Sequence, residues 1–198
     1  MLENSYQHTL SEAGCDEAGR GCLAGSLFAA AVILPPDFYH PALNDSKKMS
    51  EKSRRMLRTI IESEAIAWAV QEISAERIDQ INILNASFEG MSLAAEALSP
   101  SPEMLIIDGN RFKTHLSIPF ECIVKGDGKY ANIAAASVLA KTHRDEYMER
   151  IALTYPEYGW SQNKGYPTMQ HKKAIAEYGI TPLHRRSFNM GVDQLKLF

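Results

Sequence analysis

The chain has 198 residues, 45% of them hydrophobic and 23% charged, with a formal net charge of −3. It is long enough to bury a core without covalent staples, and no apolar run approaches the roughly 18 residues of a membrane helix. Three widely spaced cysteines, Cys15, Cys22 and Cys122, argue against a disulfide framework or a zinc cluster, and a polar N-terminus without a signal-peptide core adds to the expectation of a cytoplasmic protein.

Residues 12–17 read as a strand, followed by a turn rich in glycine (Gly19, Gly21, Gly25) around Arg20. Residues 27–34 form a continuous apolar run stopped by Pro35 and Pro36, the signature of a buried strand. The short connection predicts that these two strands pair antiparallel. Residues 44–48 are a polar loop, and Ser50 is placed to cap a helix through about residue 63. A third strand is expected over 65–73, then helices over 75–80 and 85–98, the second ended by the Ser-Pro-Ser-Pro run at 99–102. Two short strands, 104–107 and 120–124, each run into a turn carrying an aspartate, Asp108 and Asp127. A long alanine-rich helix over 131–153 ends before Tyr155-Pro156, and a last helix spans about 168–178 after a loop rich in Tyr, Gly and Trp. This order predicts an α/β fold with a mixed sheet flanked by helices. Residues 1–159 form the body, and 160–198 a small helical appendage within the same compact unit. The appendage holds six basic and two acidic residues, against 15 and 22 in the body. Such asymmetry fits either an anion-binding appendage or a solvated basic surface.

Three predicted strand ends carry acids: Asp16 with Glu17, Asp108 and Asp127. Functional groups of open α/β sheets gather beyond strand ends. Carboxylates brought together raise one another's pKa, and a divalent cation removes that penalty. An all-oxygen donor set favours the hard ions Mg2+ or Mn2+, and a pair of such ions supports phosphodiester hydrolysis. On spacing alone the plainer reading, that these acids are loop residues, stays open.

The segment from Cys15 to Gly25, with Asp16-Glu17-Ala18-Gly19-Arg20-Gly21 at its centre, resembles the first motif of the ribonuclease HII family. So do Asn44-Asp45-Ser46-Lys47-Lys48, Ile106-Ile107-Asp108-Gly109, Val124-Lys125-Gly126-Asp127, the run from Ile133 to Lys141 with Arg144-Asp145, Lys164-Gly165-Tyr166-Pro167-Thr168, and His184-Arg185-Arg186-Ser187-Phe188. The motifs follow one another in order from about residue 13 to 188. The resemblance implies a ribonuclease H-like fold and a metal-dependent endoribonuclease with Asp16, Glu17, Asp108 and Asp127 as its acids. The expected substrates are RNA–DNA hybrids and duplex DNA with embedded ribonucleotides. It places Gly19, Arg20 and Gly21 around the ribonucleotide 2′-hydroxyl, where glycine lets backbone approach the sugar. It puts Tyr166 against the neighbouring sugar. Lys47 and Lys48 are expected either on phosphates or simply exposed at the approach to a helix, and Arg185 and Arg186 either on the nucleic acid or supporting its appendage. His171 and His184 are expected near phosphate, Ser137 near the acids, and Asp145 in an ion pair with a neighbouring base. Cys22 and Ser26 stand where the family commonly has proline, which bears on loop rigidity.

The last residues, Gln194, Leu195, Leu197 and Phe198, resemble the short motif by which bacterial replication proteins dock into a sliding clamp, with a terminal segment packing on its own domain as the plainer reading. A monomer is expected, with no membrane partner. The rival functions are a hybrid-binding module that does not cut, a transposase- or resolvase-like nuclease, and a Mg2+ phosphohydrolase of small molecules. Four converging acids argue against the first. A sugar-reading turn directly after Asp-Glu argues against the second, and a basic appendage against the third.

Overall fold

The computed structural model describes residues 2–8, 10–44 and 49–191. Five strands form one mixed sheet: β1 (Glu12–Ala18), β2 (Leu27–Ile33), β3 (Ala67–Ile73), β4 (Met104–Asp108) and β5 (Phe120–Ile123), in the spatial order β3-β2-β1-β4-β5. The β1–β2 and β2–β3 pairs are antiparallel, as the short first connection predicts, while β1–β4 and β4–β5 are parallel. The α-helices are α1 (Glu51–Glu64), α2 (Ala75–Ile81), α3 (Ile83–Glu96), α4 (Ala131–Ala152), α5 (Trp160–Asn163) and α6 (Met169–Tyr178). No helix among the described residues is long and apolar enough to cross a membrane.

β1, β2 and β4 are buried on both faces because alternate residues meet different helices. Ala13, Cys15, Ala29, Ala31, Leu105 and Ile107 pack with Phe88, Met91 and Ala95 of α3. Ala30 and Val32 pack with Leu57 and Ile61 of α1 and with the alanines of α4. The small side chains of α4 and the glycine at 14 bring helix and sheet into close approach: a Cβ on Gly14 would overlap the backbone of Asn132 and Ile133. A third cluster joins Leu23, Ala24 and Phe28 to Tyr147 and Met148 of α4, and to Tyr158, Trp160, Ala174 and Ile175 nearer the C-terminus.

Ser50 caps α1 by accepting from the Ser53 amide, as the sequence predicts. Several boundaries shift by a residue or two, and one short helix is added. β3 starts at Ala67, because the Ala65 amide still bonds Ile61 at the end of α1. α3 starts at Ile83, because Asn82, at φ 65°, breaks it from α2 and caps it through Oδ1 to the Leu84 and Asn85 amides. The loop after Tyr158 contains α5, a single turn bounded by left-handed Gly159 and Lys164.

Candidate active site

β1 and β4 lie side by side in parallel, with Cys15 opposite Ile107. The next residue on each strand is therefore an aspartate, Asp16 and Asp108, and alternation turns both toward the α4 face, opposite the core that holds Cys15 and Ile107. Asp16 is buried, and Ser137 of α4 hydrogen-bonds its carboxylate. The Glu17 amide donates to Asp16 Oδ1 at 2.7 Å. Asp108 Oδ1 accepts from the Gly126 amide at 2.7 Å, which ties β4 to the 3-10 turn Gly126–Gly128 that carries Asp127.

Asp16, Glu17 and Asp108 border one open depression of 330 Å3. Gly19, Arg20 and Gly21 line it on one side and Tyr166 on another, and Arg54 and Lys141 add two more cations. Arg20 pairs with Glu17 at 3.2 Å, and Lys141 with Asp145 at 2.6 Å. The structure thus brings together three of the four predicted acids, the Gly-Arg-Gly turn and the tyrosine. Asp127 is buried on the adjoining turn rather than on the wall of this depression.

Burial, with the charges of Glu17 and Asp108, pushes the Asp16 carboxyl well above the usual carboxylate range; the bonds from Ser137 and the Glu17 amide oppose this only in part. Among the described residues, no three His, Cys, Asp or Glu side chains are arranged to enclose a metal ion. An open set still suits a hard divalent cation, which binds through one or two carboxylates and completes its shell with water and substrate phosphate. The electrostatic penalty at Asp16 is one that such a cation relieves. The donor set therefore fits Mg2+ or Mn2+ bound together with substrate, and not a closed structural site.

The Gly-Arg-Gly turn is held from beneath by two buried arginines. Arg144 of α4 donates to the carbonyls of Ser26 (3.0 Å), Ala24 (3.3 Å) and Lys164 (3.0 Å). Its guanidinium fills the space where a Cβ on Gly19, at φ 99°, would lie. Arg185 donates to the Gly25 carbonyl through Nε and Nη2, and to the Arg20 carbonyl through Nη1. Both arginines are fully buried. Of the two roles expected for Arg185, contact with the nucleic acid is corrected: the side chain is spent in support, on the backbone of the turn. Burial accordingly pulls it down to about 10.

His171 and His184 also depart from expectation. They lie in the core of the appendage, where Trp160 Nε1 donates to His171 Nε2 at 3.0 Å and the two Nε2 atoms are 3.2 Å apart. Both are almost wholly buried. Arg186 is exposed, with its amide held by Asp79, and borders a separate depression formed with α2. Lys47, Lys48, Gln194, Leu195, Leu197 and Phe198 lie outside the described residues.

Tyr166 stands over two cations, with Lys141 Nζ and Arg144 Cζ each 5.9 Å from its ring centroid. Its hydroxyl meets the buried Cys22 thiol, and burial pushes both groups upward. Ser26 Oγ donates to Glu72 at 2.6 Å. Lys141, Arg144 and Arg54 were not read as site residues. Lys141 follows Ser137 by one helical turn, a signal available in sequence, whereas only the tertiary fold brings Arg54 of α1 to the depression.

The ribonuclease HII family model matches residues 13–190. The chain belongs to the ribonuclease HII family. It is 60% identical over 198 residues to the ribonuclease HII of Bacteroides thetaiotaomicron, covering 100% of this chain and 99% of that one. The fold is that of the ribonuclease H2 of Pyrococcus horikoshii (TM-score 0.76, 23% identity, covering 94% of this chain and 97% of that one). It is also that of the ribonuclease HII of Archaeoglobus fulgidus, solved in complex with PCNA (TM-score 0.72, 26% identity, covering 91% and 96%). As a ribonuclease HII, the chain is a nuclease that hydrolyses the RNA strand of RNA–DNA hybrids.

Proposed function

We propose that this ribonuclease HII also incises duplex DNA on the 5′ side of an embedded ribonucleotide, using Asp16, Glu17, Asp108 and Asp127 as its metal-binding acids. The observation that carries the reading is the shared depression, where carboxylates, cations and the Gly-Arg-Gly turn face one another. When bound to these acids and the scissile phosphate, a pair of divalent cations, Mg2+ or Mn2+, supplies an activated water and stabilisation of the leaving oxygen, leaving 5′-phosphate and 3′-hydroxyl ends. The chain's own groups do the selecting. Gly21 faces open space, where a side chain would meet no protein atom but would obstruct a ribose. The backbone of Gly19 to Gly21, fixed by Arg144 and Arg185, can then test for the 2′-hydroxyl, the group that separates RNA from DNA. Tyr166 offers a ring edge to the adjoining sugar, and Arg20, Arg54 and Lys141 balance phosphate charge, with Lys47, Lys48 and Arg186 as further phosphate contacts in this reading. In this reading residues 1–159 cut while residues 160–198 brace the reading turn, and the activity serves ribonucleotide removal in replication and repair.

The test is a labelled DNA duplex with one ribonucleotide, beside an all-DNA control, incubated with Mg2+, Mn2+ or chelator. A metal-dependent nick immediately 5′ of the ribonucleotide, absent from the control, is expected. Cleavage of long hybrids alone would remove the junction activity from this reading. The Archaeoglobus relative in its PCNA complex supports a second partner, a sliding clamp, met through Gln194, Leu195, Leu197 and Phe198. Deleting Leu197 and Phe198 should abolish binding to a purified bacterial clamp, and unchanged binding would sink the idea.

A further inference from the structure

The N-terminal segment enters neither the sheet nor the site, yet it is bound into the molecule. The Glu3 amide donates to the Lys129 carbonyl at 2.7 Å, and the Glu3 carbonyl accepts from the Ala131 amide at 2.8 Å. Tyr6 sets its ring edge-on to Tyr130, with centroids 5.9 Å apart. These contacts fall on the first residue of α4 and on the residues linking it to the turn of Asp127. The first amides of a helix have no partner within it, and Tyr130, at the N-cap, supplies no side-chain bond. The Glu3 carbonyl does what a capping side chain does elsewhere.

The segment is itself held by a carboxylate that the reaction does not use. Glu12, at the start of β1, is buried, and its two oxygens accept from the Tyr6 amide at 2.7 Å and from the Gln7 amide. A buried carboxylate needs such donors, since burying its charge without them is costly. A continuous series of bonds therefore runs from Glu12 through residues 3–7 to Lys129 and Ala131. The turn at its far end holds Gly126 and Gly128, and it follows Lys125 at φ 57°.

We infer that residues 2–8 form a strap, fastened by the Glu12 carboxylate, that positions Asp127 for metal binding by fixing the Lys129–Ala131 backbone. Glu12 is on this account a positioning residue. The inference rests on Asp127 being one of the metal-binding acids.

The test compares wild type, Glu12→Ala and Asp127→Asn. Mn2+ binding is measured without substrate, by counting free Mn2+ by electron paramagnetic resonance, and amide hydrogen exchange is measured without metal. Glu12→Ala should weaken Mn2+ binding about tenfold and speed exchange at residues 129–134 by a similar factor. Exchange in β1 and β2 should stay as in wild type, and cleavage at saturating metal should recover to within about twofold. Unchanged exchange at 129–134, faster exchange with unchanged Mn2+ binding, or equal acceleration throughout the sheet would each overturn the strap. If Asp127→Asn itself binds Mn2+ and cuts as wild type, the assignment of Asp127 fails instead. Should Glu12→Ala not fold, Glu12→Gln, which keeps one accepting oxygen, takes its place, with a smaller change of the same pattern expected and the same outcomes decisive.

Discussion

Replacing Arg144 by methionine tests whether the Gly-Arg-Gly turn depends on its buried support, and with it the proposed reading of the sugar. Methionine keeps much of the length and the apolar stem but removes all donors. The carbonyls of Ala24, Ser26 and Lys164 then lose their partner, in a position sealed from water, since Arg144 has no exposed surface. Leaving a buried acceptor unsatisfied costs about 1–3 kcal/mol. Three such losses, offset by removal of a buried charge and by the packing of the new side chain, sum to about 3–5 kcal/mol. A domain of this kind is stable by about 5–15 kcal/mol, so the variant should fold with a visibly lower urea midpoint. Arg144→Lys should recover only part of the loss, because one ammonium cannot span three carbonyls as a planar fork does. The functional consequence should be selective. With the turn unanchored and Tyr166 missing one of its two cations, KM for a duplex with a single ribonucleotide should rise about tenfold. KM for a long hybrid, held by more contacts, should rise less. Steady-state cleavage of both substrates at a temperature well below the melting transition checks this. An Arg144→Met protein with wild-type midpoint and wild-type KM would refute the reasoning.

Asp16→Asn should abolish cutting in Mg2+ yet stabilise the metal-free protein at neutral pH by about 1 kcal/mol, the scale on which relieving active-site strain commonly acts. The sign follows from a folded-state pKa raised by burial and by Glu17 and Asp108. The contribution of Asp16 to stability is full below its unfolded value near 3.8 and is lost as pH rises through the folded one, so the variant should lose that part of the pH slope. His184 has the opposite sign. Burial and His171 lower it from 6.5 to about 4, so its contribution is present above pH 6.5 and is lost as pH falls toward 4. This amounts to about 3 kcal/mol at 1.36 kcal/mol per pH unit, and urea melts at pH 7 and pH 4.5 for wild type and His184→Gln would detect its absence. Tyr166→Phe should retain junction cleavage to within about threefold, because the hydroxyl is engaged by the buried Cys22 thiol, whereas Tyr166→Ala should lose at least tenfold in kcat/KM; equal losses in both would assign the work to the hydroxyl instead.

What the sequence made legible was set by range. β2 is readable because its apolar run is bounded by two prolines, and α1 because Ser50 precedes it. Asp16, Glu17 and Asp108 are readable because they fall in the last residues of their strands, and parallel pairing then puts the two strand ends side by side. The fates of Arg185, His171 and His184 were not readable. A basic residue in a C-terminal segment looks the same whether it meets phosphate or the backbone of a loop 160 residues earlier, and only the packing of Trp160 and Tyr158 against the histidines buries that surface. The N-terminal segment was illegible for a related reason, since its bonds to the turn of Asp127 are made by backbone and leave no mark in residue type.

The local and the tertiary parts of the site meet on α4. Gly14 lets the helix lie against β1, and from there its residues reach the site in turn. Ala131 meets the N-terminal segment, Ser137 meets Asp16, Lys141 enters the depression and Arg144 supports the reading turn. The steps from 133 to 137 to 141 keep one face of the helix toward the sheet. From residue 131 to 144 the helix rises about 20 Å at 1.5 Å per residue, which carries it from the turn of Asp127 to the Gly-Arg-Gly turn. A rigid helix so placed couples two tasks that the sequence keeps far apart. The geometry of the acids and the geometry of the Gly-Arg-Gly turn are fixed against the same element, so a displacement of α4 shifts both. The alanines that make up the middle of α4 are therefore functional through their size: each larger side chain would lift the helix from β1 and β2, and with it Ser137 from Asp16 and Arg144 from the loop.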